Sequence, residues 1–179
     1  MDVLVRDAAM TTAIFGFFAS AWFGWAQERP PEGRATWWLG GGSALGLLLA
    51  AFGGITAWIH WDTASVLSVE GGMDLYLTVL GVEFGVALLG VLVLLALKRG
   101  AYLAPWVCLV VGVHFFPLAP VLADPGLYLL AALLTVWPFL AVCLANRRGL
   151  APSFTTGAGA GPVLLVFSLA NAVLLSAAL

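Results

Sequence analysis

Residues 74–97 read DLYLTVLGVEFGVALLGVLVLLAL, and this stretch decides the class of the protein. After Asp74, its only charged residue is Glu83. A helix crosses the hydrocarbon core of a bilayer with about 20 mostly apolar residues, so this stretch is long enough to span a membrane. Five more apolar runs occur along the chain. We therefore predict an all-α integral membrane protein, a six-transmembrane-helix bundle with spans near residues 8–26, 37–59, 74–97, 102–122, 126–145 and 162–178.

The composition excludes a soluble globular protein. Of the 179 residues, 63% are hydrophobic and 9% are charged, and the mean hydropathy is +1.07. So few polar side chains cannot cover the surface of a soluble domain of this size. Every hydrophilic stretch is short. The sequence thus predicts a single polytopic membrane domain, residues 1–179, with short loops.

The basic residues predict the orientation of the bundle. Lysine and arginine concentrate in the cytoplasmic loops of membrane proteins. Six of the seven basic residues lie in three alternate loops, which we expect to face inward, so that both termini lie outside (N-out, C-out) in a bacterial inner membrane. The six residues are Arg29, Arg34, Lys98, Arg99, Arg147 and Arg148.

Small residues recur every four positions on the first three predicted helices. In lipid, such residues let two helix backbones approach closely. We expect helices one and two to pack together; the alternative is that the second-helix stripe forms a homodimer seam. The stripes are Gly16, Ser20 and Gly24 in the first helix, Gly42, Gly46, Ala50 and Gly54 in the second, and Gly81 and Gly85 in the third.

Four predicted helices place their most polar side chain at a similar depth. At about 1.5 Å per residue, Glu83 and Thr135 lie roughly 13 Å below the outer helix ends, His114 roughly 12 Å and Asn171 roughly 10 Å. These residues predict one polar layer in the outer half of the bilayer, able to bind a proton or a substrate.

Within this layer, Glu83 and His114 are the ionisable residues. An ionised carboxylate in hydrocarbon costs on the order of 3 kcal/mol, so Glu83 needs a partner, a proton or a polar cavity. A glutamate and a histidine in contact can share one proton and change charge near neutral pH, which suits proton coupling. The alternative is a structural pair that fixes the packing of helices three and four.

Two proline-containing segments carry further expectations. Pro117 removes the amide donor for the carbonyl of Val113, so we expect a helix kink beside His114 and a cavity that opens outward. The glycine-rich run Thr155–Pro162 predicts a flexible lead into the last helix.

Several classes of function lack their sequence signatures. The two cysteines have no CxxC or Cys/His spacing, so we expect no metal site. His60 and His114 lie at different depths, which makes them poor ligands for a shared haem, and we expect no cofactor. Hydrolase and nucleotide-binding motifs do not occur. The scattered basic residues do not indicate nucleic-acid binding.

The leading hypothesis is a small inner-membrane transporter or channel-like protein for an unknown small solute or cation. In it, Glu83 titrates, His114 tunes or relays its proton, and Asn171 and Thr135 supply neutral hydrogen bonds. A bundle this small has little interior, so a homo-oligomer is plausible. The alternatives are a non-catalytic accessory or assembly subunit that binds a membrane-protein partner and, less favoured, an intramembrane lipid-modifying enzyme.

Overall fold

The computed structural model describes residues 4–31 and 35–179, so that Arg34 lies outside the described residues. Those residues form long helices, two single 3-10 turns and no strand, which confirms the all-helical prediction. The helices are α1 (Val5–Ala26), α2 (Ala35–Ile59), α3 (Gly72–Ala96), α4 (Leu103–Val121), α5 (Gly126–Arg148) and α6 (Pro152–Ala178).

All six helices are long and apolar enough to cross a membrane. Their outward surface carries many large apolar side chains, among them Phe84 and Leu89, that water would not solvate favourably. By length and composition, the chain thus has six candidate transmembrane helices, which suggests an integral membrane protein.

The helices form a row in which each contacts the next. Helix α1 packs against both α2 and α6, α6 against α5, α5 against α4, and α4 against α3. Helix α6 also touches α2 and α4, which closes most of the row into a bundle. Helix α3 packs mainly against α4 and has no buried residue. It is the most weakly held helix of the six.

The predicted close packing of the first two helices is confirmed. A Cβ built on Gly46 would stand 2.6 Å from the carbonyl oxygen of Gly16. The hydroxyls of Ser20 and Ser43 lie 2.7 Å apart across the same seam. The second-helix stripe is thus used within the chain, because Gly42 faces the ring of Phe23 in α1.

The strict four-residue spacing was wrong at the ends of the stripes. Gly24 and Gly54 are exposed, and a Cβ built on either would meet nothing within 4 Å. Eight residues advance a helix by about 80° past two full turns, whereas seven residues return to within about 20° of the starting direction. The buried positions are therefore Phe23 and Gly53, seven residues after Gly16 and Gly46.

The glycines of the third helix do not pack either. Gly81 and Gly85 are exposed, and a Cβ at either would meet no neighbour within 4 Å. Both lie on the side of α3 that faces away from α4, since each is about 160° around the helix from Glu83. The expected packing role of Gly81 and Gly85 within the chain was wrong.

The expected flexible lead into α6 was also wrong, because α6 begins at Pro152 and includes the whole glycine-rich run. Each glycine there admits a neighbour. Gly157 faces the backbone of α1 at Ala26, Gly159 faces the indole of Trp137, and Gly161 faces the ring of Phe23. Packing against three surfaces offsets the low helix propensity of glycine.

A short tether holds the connection between α2 and α3 to the start of α1. The Arg6 guanidinium donates to the carbonyl of Trp61 at 2.9 Å and lies over the Trp61 ring, 4.2 Å from its centroid. The backbone amide of Val66 donates to the carboxylate of Asp7 at 2.8 Å. This tether fixes one end of α3, although the body of that helix is loosely packed.

Candidate functional site

Glu83 and His114 meet where α3 crosses α4. The Oε1 atom of Glu83 lies 3.4 Å from Nδ1 of His114, and their side chains are 12% and 10% exposed. Counting residues from the helix ends placed the two side chains at one depth, and the structure adds that they face each other.

The contact leaves hydrogen-bonding capacity unused. A separation of 3.4 Å is longer than the usual 2.7–3.2 Å of an N–H···O hydrogen bond. Nδ1 of His114 is buried and has no hydrogen-bond partner. The imidazole is held in place by packing instead, with its ring centroid 4.2 Å from that of Phe115. A carboxylate and an imidazole nitrogen are thus positioned together, and the nitrogen has no other partner.

The pair lies in a groove between α3 and α4. The groove has a volume of about 400 Å³, and apart from Thr78, Trp106 and the pair, its lining is aliphatic side chains and proline. Val82 and Val113 at its rim are 61% and 50% exposed. In the described part of the chain, α4 is the long helix against which α3 mainly packs, and the valines at the rim are exposed, so the groove opens sideways on the apolar outer surface of the bundle.

Trp106 closes one end of the groove. Its indole N–H donates to the carbonyl of Ala87 at 3.2 Å, and its ring fills the space left by the missing side chain of Gly90. A second cavity of about 280 Å³ lies beyond and shares Trp106 and Leu109 with the groove. Trp106 is therefore a partition between two cavities along α4. Sequence reasoning missed this role of Trp106.

A matching tryptophan joins α5 to α6. The indole N–H of Trp137 donates to the carbonyl of Thr156 at 3.0 Å, and its ring lies against Gly159. In both cases the acceptor and the glycine are three residues apart on the neighbouring helix. Because every residue carries a carbonyl, this pairing has no signature by which local sequence reasoning could have found the role of Trp106.

The other two residues of the predicted layer lie elsewhere. Thr135 lies against Gly112, on the α5 side of α4, and its buried hydroxyl has no partner. Asn171 donates to the carbonyl of Phe167 in its own helix at 3.0 Å. Neither lines the groove. Residue counting placed the four residues at one depth. Of the four, Glu83 and His114 lie on helix faces that meet, whereas Thr135 and Asn171 make other contacts.

Pro117 lines the groove next to His114. Helix α4 continues through it to Val121, and the carbonyl of Val113 has no amide donor at position 117. The kink at Pro117 stays a prediction. Pro117 therefore leaves the carbonyl of Val113, a residue of the groove wall, without its usual helical amide donor.

Two ionisable side chains supply the chemistry of this site. In the part of the chain that the structure describes, no three His, Cys, Asp or Glu side chains form a group that could hold a metal ion. The site therefore consists of one carboxylate, one imidazole and an apolar groove. Comparison with family models, characterised proteins and solved structures finds no match to this chain.

Proposed function

We propose that this protein is a small proton-coupled transporter of the inner membrane in which Glu83 binds a proton or a substrate in turn. The observation that supports this most is the contact between Glu83 and His114 at the base of a groove. An ionisable residue inside a membrane bundle is costly and marks a functional site by default.

The chemistry of the pair suits exchange. When Glu83 is ionised, its charge is poorly solvated in the groove and is best neutralised by a proton or by a cation. His114 can receive or return that proton, because its Nδ1 atom is 3.4 Å from the carboxylate and makes no hydrogen bond. Binding of substrate and of proton at Glu83 would then exclude each other, which couples their movements.

The packing of α3 supports movement at this site. A purely structural pair would be expected at a well-packed crossing, but α3 has no buried residue and a groove lies between it and α4 beside the pair. Regions with few buried contacts open at low free-energy cost. We take α3 as the element that moves against α4 when the occupancy of Glu83 changes.

We also propose an orientation with both termini outside. The N-terminal end of α1 and the C-terminal ends of α2 and α6 lie together, since Ala8, Ala57 and Leu175 belong to one buried cluster. Arg29 and Lys98 lie in the connections that follow α1 and α3, and Arg147 lies in the last turn of α5, all at the opposite end. Basic residues gathered at one end favour that end as the cytoplasmic one.

A second candidate is an accessory subunit of a membrane complex. The observation that favours it is the outer face of α3, where Gly81 and Gly85 are exposed and would admit another helix. In that case the protein would co-purify with a membrane-protein partner, and substitution of Glu83 would leave that association unchanged.

Proton flux in proteoliposomes tests the transporter proposal. Under an imposed pH gradient and with candidate cations present, the unmodified chain should carry protons, Glu83→Gln should carry none, and His114→Ala should be slowed. Glu70→Gln is the matched control, since Glu70 is an exposed acid on the α2–α3 connection. Equal flux in Glu83→Gln and the unmodified chain would contradict the proposal.

A further inference from the structure

We infer that the α3–α4 groove binds a lipophilic amine that enters from the bilayer, with its ammonium group on Glu83 and its apolar body along the groove. The inference names the substrate class of the site and rests on the proposed function only for the claim that the amine is transported. Binding itself can be tested without transport.

The lining of the groove selects for an amphiphile. Its polar groups are concentrated at Glu83 and His114, and most of the remaining wall is hydrocarbon. A small hydrated cation would exchange its water shell for two side chains in an apolar space, which is unfavourable. A molecule with one polar head and an apolar body matches both parts. The aliphatic wall consists of Val79, Val82, Val86, Leu109, Val110 and Val113.

The position of the opening selects for entry from the side. Val82, Val86 and Val113 line the groove and are exposed on the apolar surface of the bundle. One end is blocked by Trp106, whose indole is bonded to α3. A molecule already dissolved in lipid therefore reaches Glu83 without crossing a polar mouth. The volume of about 400 Å³ is within the range of sites for small organic ligands.

The charges around Glu83 select for a cationic head. An ionised carboxylate can only accept hydrogen bonds, and Nδ1 of His114 lacks a partner. Among the described residues, the nearest lysine or arginine along α3 is Lys98, which at 15 residues away is roughly 22 Å along the helix. No lysine or arginine of α3 or α4 neutralises Glu83, so beside a neutral His114 a protonated amine would supply both the charge and the hydrogen-bond donors.

The test is protection of a cysteine placed in the groove. In the full chain carrying Cys143→Ser and reconstituted in nanodiscs, Val86→Cys reports on the groove and Leu89→Cys is the matched control. Leu89 is an exposed residue of the same helix that does not line the groove. The native Cys108 is buried and remains. Labelling by N-ethylmaleimide is measured with dodecylamine, dodecanol or ethylamine present.

Dodecylamine should protect Val86→Cys in a saturable way and leave Leu89→Cys unprotected. Dodecanol should need about tenfold more for the same protection, the loss expected when a charge-assisted hydrogen bond becomes a neutral one. Ethylamine should not protect. In a Glu83→Gln background, the preference for the amine over the alcohol should disappear. If Val86→Cys does not fold, Thr78→Cys reports on the same groove.

Three outcomes overturn the inference: equal protection by ethylamine, equal protection of Leu89→Cys by dodecylamine, and no protection by any probe. Its failure is distinguishable from that of the proposed function. Glu83-dependent proton flux without protection by the amine would support the transporter proposal and contradict this substrate class. Protection by the amine without flux would support the binding site and contradict the transporter proposal.

Discussion

Two regions of the molecule pack in opposite ways. One consists of α1, α2 and α6, and the other is the pair α3–α4. In the first group, glycines bring backbones into contact, as Gly16 and Gly46 do. In the second, a cavity remains between the helices, and the bulky indole of Trp106 bridges them. The group α1, α2 and α6 is therefore closely packed, and we call it the tight region. The pair α3–α4 leaves space beside its ionisable residues, and we call it the loose region.

The polar side chains where helices meet differ between the two regions, although the buried hydroxyl of Thr156 in α6 also lacks a partner. In the tight region, the buried hydroxyl of Ser168 donates to the carbonyl of Thr12 at 2.9 Å, and Ser20 pairs with Ser43. In the loose region, Nδ1 of His114 has no hydrogen-bond partner. Bonded polar groups hold helices together, whereas the buried imidazole nitrogen lies beside the carboxylate of Glu83 without a hydrogen bond.

The largest expected effect is that of a side chain added in the tight region. Gly46→Val would place Cβ 2.6 Å from the carbonyl oxygen of Gly16 and should lower the free energy of unfolding by about 3 kcal/mol, the upper end of the usual range for overpacking. Gly85→Val, on the open face of α3, should change it by less than about 0.5 kcal/mol. Denaturant titration in micelles measures both. Equal losses would remove the distinction between the regions.

The next effect concerns the two bridging tryptophans. Trp106→Ala should cost about 2 kcal/mol, less than removal of a fully buried tryptophan, and should raise amide hydrogen exchange in α3 alone. Trp137→Ala should raise exchange in α6 and in the α1 seam against it, since α6 is packed on several sides. Exchange that rises throughout the bundle for Trp106→Ala would show that α3 is not an independent unit.

A smaller effect separates structural from functional polar groups. Ser168→Ala should cost about 0.6–1 kcal/mol, the usual value of one hydrogen bond between membrane helices. Glu83→Gln should leave the free energy of unfolding unchanged or raise it, because it removes an ionisable group from an apolar site. Melting temperatures in one detergent measure both. A clear loss of stability in Glu83→Gln would favour the structural role of the pair.

The smallest expected effect is at the tether. Asp7→Ala removes the acceptor for the amide of Val66 and should cost about 0.5 kcal/mol, as partly exposed charged contacts do. The consequence of the substitution should be local: amide hydrogen exchange should become faster at the start of α3 and stay unchanged in α2. Asp62→Ala is the control, since Asp62 is an exposed acid in the same connection.

Hydropathy and charge predicted the class of protein, six helices and most of their boundaries, because these depend on local composition. Residue counting also placed Glu83 and His114 at one depth. It could not tell which side chains face each other, so Thr135 and Asn171 were grouped with them although their helices point them elsewhere. The role of Trp106 depends on Gly90 of another helix, and no local pattern reveals such a pairing.

The glycine-rich start of α6 has a consequence for the order in which the molecule is assembled. This segment has weak helix propensity, and the surfaces that stabilise it belong to Phe23, Ala26 and Trp137. All three are synthesised earlier than α6. We therefore expect this segment to become helical only when α6 packs against α1 and α5, both of which precede it in the chain.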